Sequence, residues 1–159
     1  MIKPVLVFAI GNESRGDDAL GPLLLRSLQK DYGSRQVEFI EDFQLQVEHA
    51  ADLVDRELVL FIDAGMDTPA PYSFYRACAG EDRTLYSHAL TPEAVLATYV
   101  QVYETEPPPS FVLCVCGEQF ELGSGLSSRS GQHLELAAKF AHRLLHNADT
   151  PSWEKYITL

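Results

Sequence analysis

Val5-Leu6-Val7-Phe8-Ala9-Ile10-Gly11-Asn12-Glu13-Ser14-Arg15-Gly16-Asp17-Asp18-Ala19-Leu20-Gly21 is the stretch that decides the fold of this chain. Residues 5–10 are a continuous apolar run rich in β-formers, the pattern of a strand covered on both faces. Gly11-Asn12 ends it, and Asp17 or Asp18 is expected to cap a helix that runs to about Tyr32. Leu20, Leu23, Leu24 and Leu28 share one face of that helix, and Gly33 closes it.

Outward from this unit the alternation of short apolar runs and helical periods continues. A second strand is expected over 37–40, a helix over 44–54 with Leu45, Val47, Ala51 and Val54 as its apolar positions, and a buried strand over 58–62 stopped by Asp63-Ala64-Gly65. Pro69 and Pro71 precede a strand over 72–77, which places it nearer a sheet edge. Thr91-Pro92-Glu93 signals a helix start, because Thr can cap and Pro is pre-set for the first helical position; that helix reaches about Tyr103. Pro107-Pro108-Pro109 leads into a last buried strand over 111–116, stopped at Gly117, and a long helix follows over 130–146. The segment beyond Pro151 is expected to be loosely held. With no internal repeat and no linker, residues 1–150 read as one domain and 151–159 as a C-terminal tail. Strands joined by helices give a single α/β/α sandwich of three layers around a twisted, mostly parallel sheet of about five strands.

The 159 residues, 46% of them hydrophobic, suffice for one sizeable core. A formal charge of -11, from 23 acidic against 12 basic residues, argues against nucleic acid and anionic membranes, both of which demand clustered Lys and Arg. A protein, a cation or a small molecule is the expected partner. No apolar run approaches the roughly 20 residues of a spanning helix, and the first run is too short for a secretory core. Cys78, Cys114 and Cys116 form an odd set whose closest pair, Cys114 and Cys116, lies inside an apolar strand pattern, which fits reduced thiols and a cytoplasmic location.

In parallel α/β sheets, chemistry collects at the carboxyl ends of the strands. The loop 11–21 lacks the glycine spacing of a dinucleotide site, and its paired carboxylates would repel a pyrophosphate. Taken alone, Asp17 and Asp18 need do no more than cap a helix. Asp63, directly after a wholly apolar run, is expected to be partly buried and therefore to need a partner. His88 sits three residues before the helix start at Thr91. On parallel strands Asp18, Asp63 and His88 emerge at one rim of the sheet, a set suited to a borderline divalent ion such as nickel or zinc, with coordination positions left open.

These residues resemble the [NiFe]-hydrogenase maturation endopeptidase family. The likeness rests on the G-N-x-x-x-x-D-[DE]-x-x-G loop at Gly11 to Gly21, Ile62-Asp63-Ala64, the histidine at His88, and Gly117 followed by Gly123 and Gly125. It implies one α/β/α domain whose Asp18, Asp63 and His88 both contact nickel and carry the reaction. By motif position Asp18, rather than Asp17, is the first of the three. The resemblance further implies that the metal is nickel carried by the substrate, the [NiFe]-hydrogenase large-subunit precursor, whose C-terminal extension is cleaved after nickel insertion. Asp42-Phe43-Gln44-Leu45-Gln46-Val47-Glu48-His49 is similar to variants serving soluble, NAD-linked hydrogenases.

Two other readings compete. One is a non-enzymatic α/β module that binds a cation or small molecule in the same crevice; the other is a peptidase with Cys116 or Cys114 as nucleophile. His142 and His146, four apart on the final helix, read as a solvated face rather than a metal pair, Asp42 as a secondary crevice candidate, and Ser124, Ser127 and Ser128 as turn residues.

Overall fold

The computed structural model describes residues 1–33, 36–80 and 90–158. Its strands are β1 (Val5–Ile10), β2 (Val37–Asp42), β3 (Leu58–Gly65), β4 (Tyr72–Ala77) and β5 (Ser110–Cys116). They form one sheet in the order β2-β1-β3-β5-β4, parallel throughout except for β4, which runs antiparallel to β5 at the edge. The helices are α1 (Leu20–Tyr32), α2 (Pro92–Tyr103), α3 (Ser128–His146) and α4 (Thr150–Lys155).

Side-chain alternation along the strands sends two apolar sets to opposite faces. Val7, Leu60 and Leu113 pack against Leu24 and Leu28 of α1 and Phe140 of α3. Leu6, Phe61 and Val112 pack against Ala50, Leu53 and the α2 residues Val95 and Leu96. Both faces are thus covered, which is why the central strands carry almost no polar residue. The expected start of α2 holds in detail: Thr91 Oγ1 accepts from the Ala94 N–H at 3.1 Å, with Pro92 as the first helical residue.

Four local expectations change. The helix expected over 44–54 is instead a 3-10 segment, Val47–Leu53. Three residues per turn bring Ala50 and Leu53 onto one buried line, with Ala51 off that line and Val47, the first residue of the segment, also exposed. Strand β3 does not stop at Asp63-Ala64-Gly65; those three residues pair with Cys114, Val115 and Cys116 of β5, and the ladder carries the strand past its punctuation. Neither Asp17 nor Asp18 caps α1. A 3-10 turn, Gly16–Ala19, precedes the helix, and both carboxylates turn elsewhere.

The last change is at the C-terminal end. Residues after Pro151 are packed rather than loose: Trp153 is fully buried, its Nε1–H donates to the Leu144 carbonyl at 2.8 Å, and its ring meets Phe74 and Phe111 edge-on. Thr158 then bonds the edge strand, its N–H donating to the Phe74 carbonyl at 2.9 Å and its Oγ1 accepting from the Phe74 N–H at 2.8 Å.

Candidate functional site

From β1 the chain crosses to β2 on one side and later to β3 on the other. This reversal of strand order opens a crevice beyond the carboxyl ends of β1 and β3. The crevice, about 610 Å³ in volume, is lined by Asp18 and Asp63 together with Asn12, Arg15, Phe43 and Met66. Gly21 lets α1 begin directly over it: a Cβ there would lie 2.4 Å from the Ile10 carbonyl oxygen and 3.2 Å from that of Ile62. Any larger residue would lift the helix, and Asp18 with it, away from the strand ends.

Adjacent in sequence, Asp17 and Asp18 have separate tasks. Asp17 is fully buried and points away from the crevice toward the loop after β5. Its Oδ2 accepts from the Glu118 N–H at 2.7 Å, the Gln119 N–H at 2.9 Å and Ser127 Oγ at 2.9 Å, and its Oδ1 accepts from the Ser127 N–H at 2.8 Å. Burial pushes this carboxyl up, but the backbone donors of Glu118, Ser127 and Gln119 outweigh it and hold the group down at about 2. The Asp17 N–H also donates to the Gln119 carbonyl at 2.6 Å. Gly16, at φ 58°, makes the approach possible, since a Cβ would fall 2.2 Å from that same oxygen. Asp17 therefore ties the loop after β1 to the loop after β5.

Asp18 faces the crevice. Its Oδ2 accepts from the Asn12 N–H at 2.7 Å. Burial pushes its carboxyl above the ordinary range, against the opposing pull of Asn12 and of the Arg15 guanidinium. Asp63, half-buried at the end of β3, accepts from the Ala64 N–H at 2.8 Å. Burial first, and the negative charge of Asp18 second, push it up to about 7 despite the Ala64 bond. Two carboxyl groups thus share one crevice, close enough for the charge of Asp18 to raise Asp63.

More acids lie behind Asp63. Cys114 is its register partner on β5, with Sγ 3.0 Å from Thr68 Oγ1, and burial pushes that thiol up with Asp63 adding to it. Burial, Glu93, Cys114 and Asp63 likewise drive the Tyr75 phenol upward. The paired carboxyl groups, with Arg15 beside them, offer oxygens of the kind that ordinarily ligate a divalent cation.

His88 lies outside the described residues. Among those that are described, no group of three or more His, Cys, Asp and Glu side chains is placed to hold a metal by itself. Nor is any helix among the described residues long and apolar enough to cross a membrane. His142 is engaged on both ring nitrogens, with Nε2 2.7 Å from Asp31 Oδ2 and Nδ1 2.7 Å from the Ala138 carbonyl, so it is not free to pair with His146 on a metal. Asp42 leaves the crevice to hold a loop: its Oδ2 lies 3.2 Å from His49 Nε2, and His49 Nδ1 accepts from the Gln46 N–H at 2.8 Å. Ser127 is more than a turn residue, since it caps α3 and holds Asp17. Burial pushes both Cys114 and Cys116 thiols up, which leaves them protonated and poor nucleophiles.

The anchoring of Asp17 escaped the sequence reading. The one available signal was the pairing of two carboxylates where a helix start can use only one.

No protein-family model matches the chain, and no curated protein sequence does. Solved structures do. The chain is similar to the hydrogenase maturating endopeptidase HybD from E. coli, with a TM-score of 0.70 and 21% identity over 91% of this chain and 93% of that one. It is also similar to the [NiFe] hydrogenase maturation protease HycI from Thermococcus kodakarensis, at 0.66 and 21% over 91% and 93%. An endopeptidase from Escherichia coli gives 0.70 and 20% over 92% and 94%. The chain has the fold of these proteins along nearly its whole length.

Proposed function

We propose that this protein is a hydrogenase maturation endopeptidase that works in the cytoplasm and removes the C-terminal extension of a [NiFe]-hydrogenase large-subunit precursor. The observation that carries the reading is the pairing of Asp18 and Asp63 in one crevice at the switch point of a sheet whose whole architecture matches the hydrogenase maturation proteases. Nickel belongs to the substrate in this scheme. It arrives in the precursor and is met by Asp18 and Asp63, with His88 as the third contact, a borderline ion facing oxygen and nitrogen donors. Gripping the ion fixes the scissile peptide beside the carboxylates, where a carboxylate can take a proton from attacking water. The likeness of residues 42–49 to variants serving soluble, NAD-linked hydrogenases names the precursor to try first.

Mixing the protein with nickel-loaded and nickel-free precursor tests this directly. A shortened product is expected only from the loaded form, and His88→Ala is expected to abolish it without unfolding the protein. Equal cleavage of both forms, or normal cleavage by the variant, would refute the role given to nickel or to His88. If the loaded precursor binds but is never shortened, the alternative of a non-enzymatic cation-binding module takes its place.

A further inference from the structure

Two of the most exposed large apolar side chains in the molecule stand on the lips of the carboxylate crevice. Phe43, on the loop after β2, is 72% exposed, and Met66, directly after β3, is 62% exposed; both line the cavity that holds Asp18 and Asp63. Val47 and Leu122, on the connections after β2 and β5, are exposed at the same end of the sheet. Glu13, Glu41 and Asp42 line the hollow that adjoins Phe43, with Arg26 pairing Glu13 and Glu41.

Phe43 and Met66 line the crevice yet keep most of their surface exposed, so a ligand confined to the crevice leaves much of both side chains in water. Phe43 follows β2 and Met66 follows β3, the strands that flank β1, so an occupant that covers both extends across the loop that carries Asp18. Anionic polymers and anionic lipid surfaces are repelled by the charge of the chain. What remains is a polypeptide laid across the mouth, its apolar side chains on the lips and its cation over the carboxylates.

We propose that Phe43 and Met66 are the specificity-determining anchors that grip an extended segment of the protein substrate on either side of the reacting position. Phe43 is held for this purpose. Its N–H donates to its neighbour's Asp42 Oδ1 at 2.7 Å, and Asp42 is in turn held by His49, so the ring projects from a braced loop. Met66 brings the opposite quality, an unbranched thioether that adapts to whatever apolar group it meets.

The proposal rests on the endopeptidase reading, and steady-state cleavage of nickel-loaded large-subunit precursor separates the two. Phe43→Ser and Met66→Ser are each expected to raise KM about tenfold, with kcat within about twofold of the parent, since the lost contact binds ground state and transition state alike. Leu136→Ser, on an exposed apolar residue of α3, controls for loss of surface hydrophobicity and is expected to change neither constant. Unchanged KM in both lip variants beside an active parent overturns the anchors alone, and so does a loss confined to kcat. A parent that cleaves no loaded precursor overturns the endopeptidase reading, and the occupant named here falls with it.

Discussion

The seat of Asp17 and the crevice of Asp18 and Asp63 lie at the same end of the sheet and are built from the same residue type, yet they treat a carboxylate in opposite ways. In the seat, four donors converge on one side chain and hold it ionised down to about pH 2. Across the crevice each carboxyl has a single backbone donor among the described residues, and burial pushes both upward, Asp63 to about 7. A satisfied buried charge stabilises a fold, whereas an under-satisfied one costs stability and is kept for what it can bind. The contrast separates the architecture of this end of the molecule from its chemistry.

Substitution in the crevice breaks the comparison most strongly. Asp63→Asn or Asp18→Asn is expected to reduce precursor processing about a thousandfold. The same change at Asp63 should raise stability at pH 8 by about 2 kcal/mol. The sign follows from the direction of the shift: a folded-state value above the unfolded one of 3.8 means that Asp63 costs nothing at pH 3 and progressively more as pH rises toward 7. Urea melts of parent and variant at pH 3 and pH 8 measure it, and a variant less stable at pH 8 would contradict this account.

Asp17→Ala acts in the other direction. Removing a buried carboxylate that four partly buried donors share is expected to cost about 3 kcal/mol of stability, with processing lost only through unfolding or displacement of the two loops. Because Asp17 is held from 3.8 down to about 2, its contribution is present above pH 4 and is lost as pH falls toward 2. An acid titration of stability in the parent and in Asp17→Asn should therefore converge near pH 2. Curves that remain parallel would show that the charge is not what holds the loops.

The smallest effect belongs to a surface pair that is neither seat nor crevice. Desolvation is the largest single influence on the His142 imidazole and lowers it, but Asp31 and the Ala138 carbonyl together outweigh it and raise the group. Its contribution is full below about pH 6 and fades as pH rises through the elevated value, and because the pair is exposed, His142→Ala should cost less than about 1 kcal/mol at pH 6. Thermal melts at pH 6 and pH 9 check both the sign and the size.

Strand and helix positions were legible wherever one local rule sufficed. The apolar run at Val5–Ile10, the Thr91-Pro92 start and the edge placement of Tyr72–Ala77 each follow from a few neighbouring residues. What escaped depended on distant partners. Asp63-Ala64-Gly65 looks like a stop, and continues as strand because β5 supplies hydrogen-bonding groups beside it. Asp17 looks like a helix cap, and its partners lie more than 100 residues later in the chain. Trp153 looked like part of a frayed end because nothing local shows that Phe74 and Phe111 leave room for an indole. In the site, the facing of Asp18 and Asp63 was readable from parallel topology, whereas the division of labour between Asp17 and Asp18 required the loop after β5.

The buried indole near the C-terminus has a practical consequence. Trp153 is the chain's single tryptophan, sealed between α3 and the sheet, while the crevice lies at the carboxyl ends of the strands. Its fluorescence is a built-in optical gauge of core integrity, blue while the fold holds and red once water enters. An inactive variant whose emission stays blue has lost its chemistry, and one whose emission reddens has lost its scaffold.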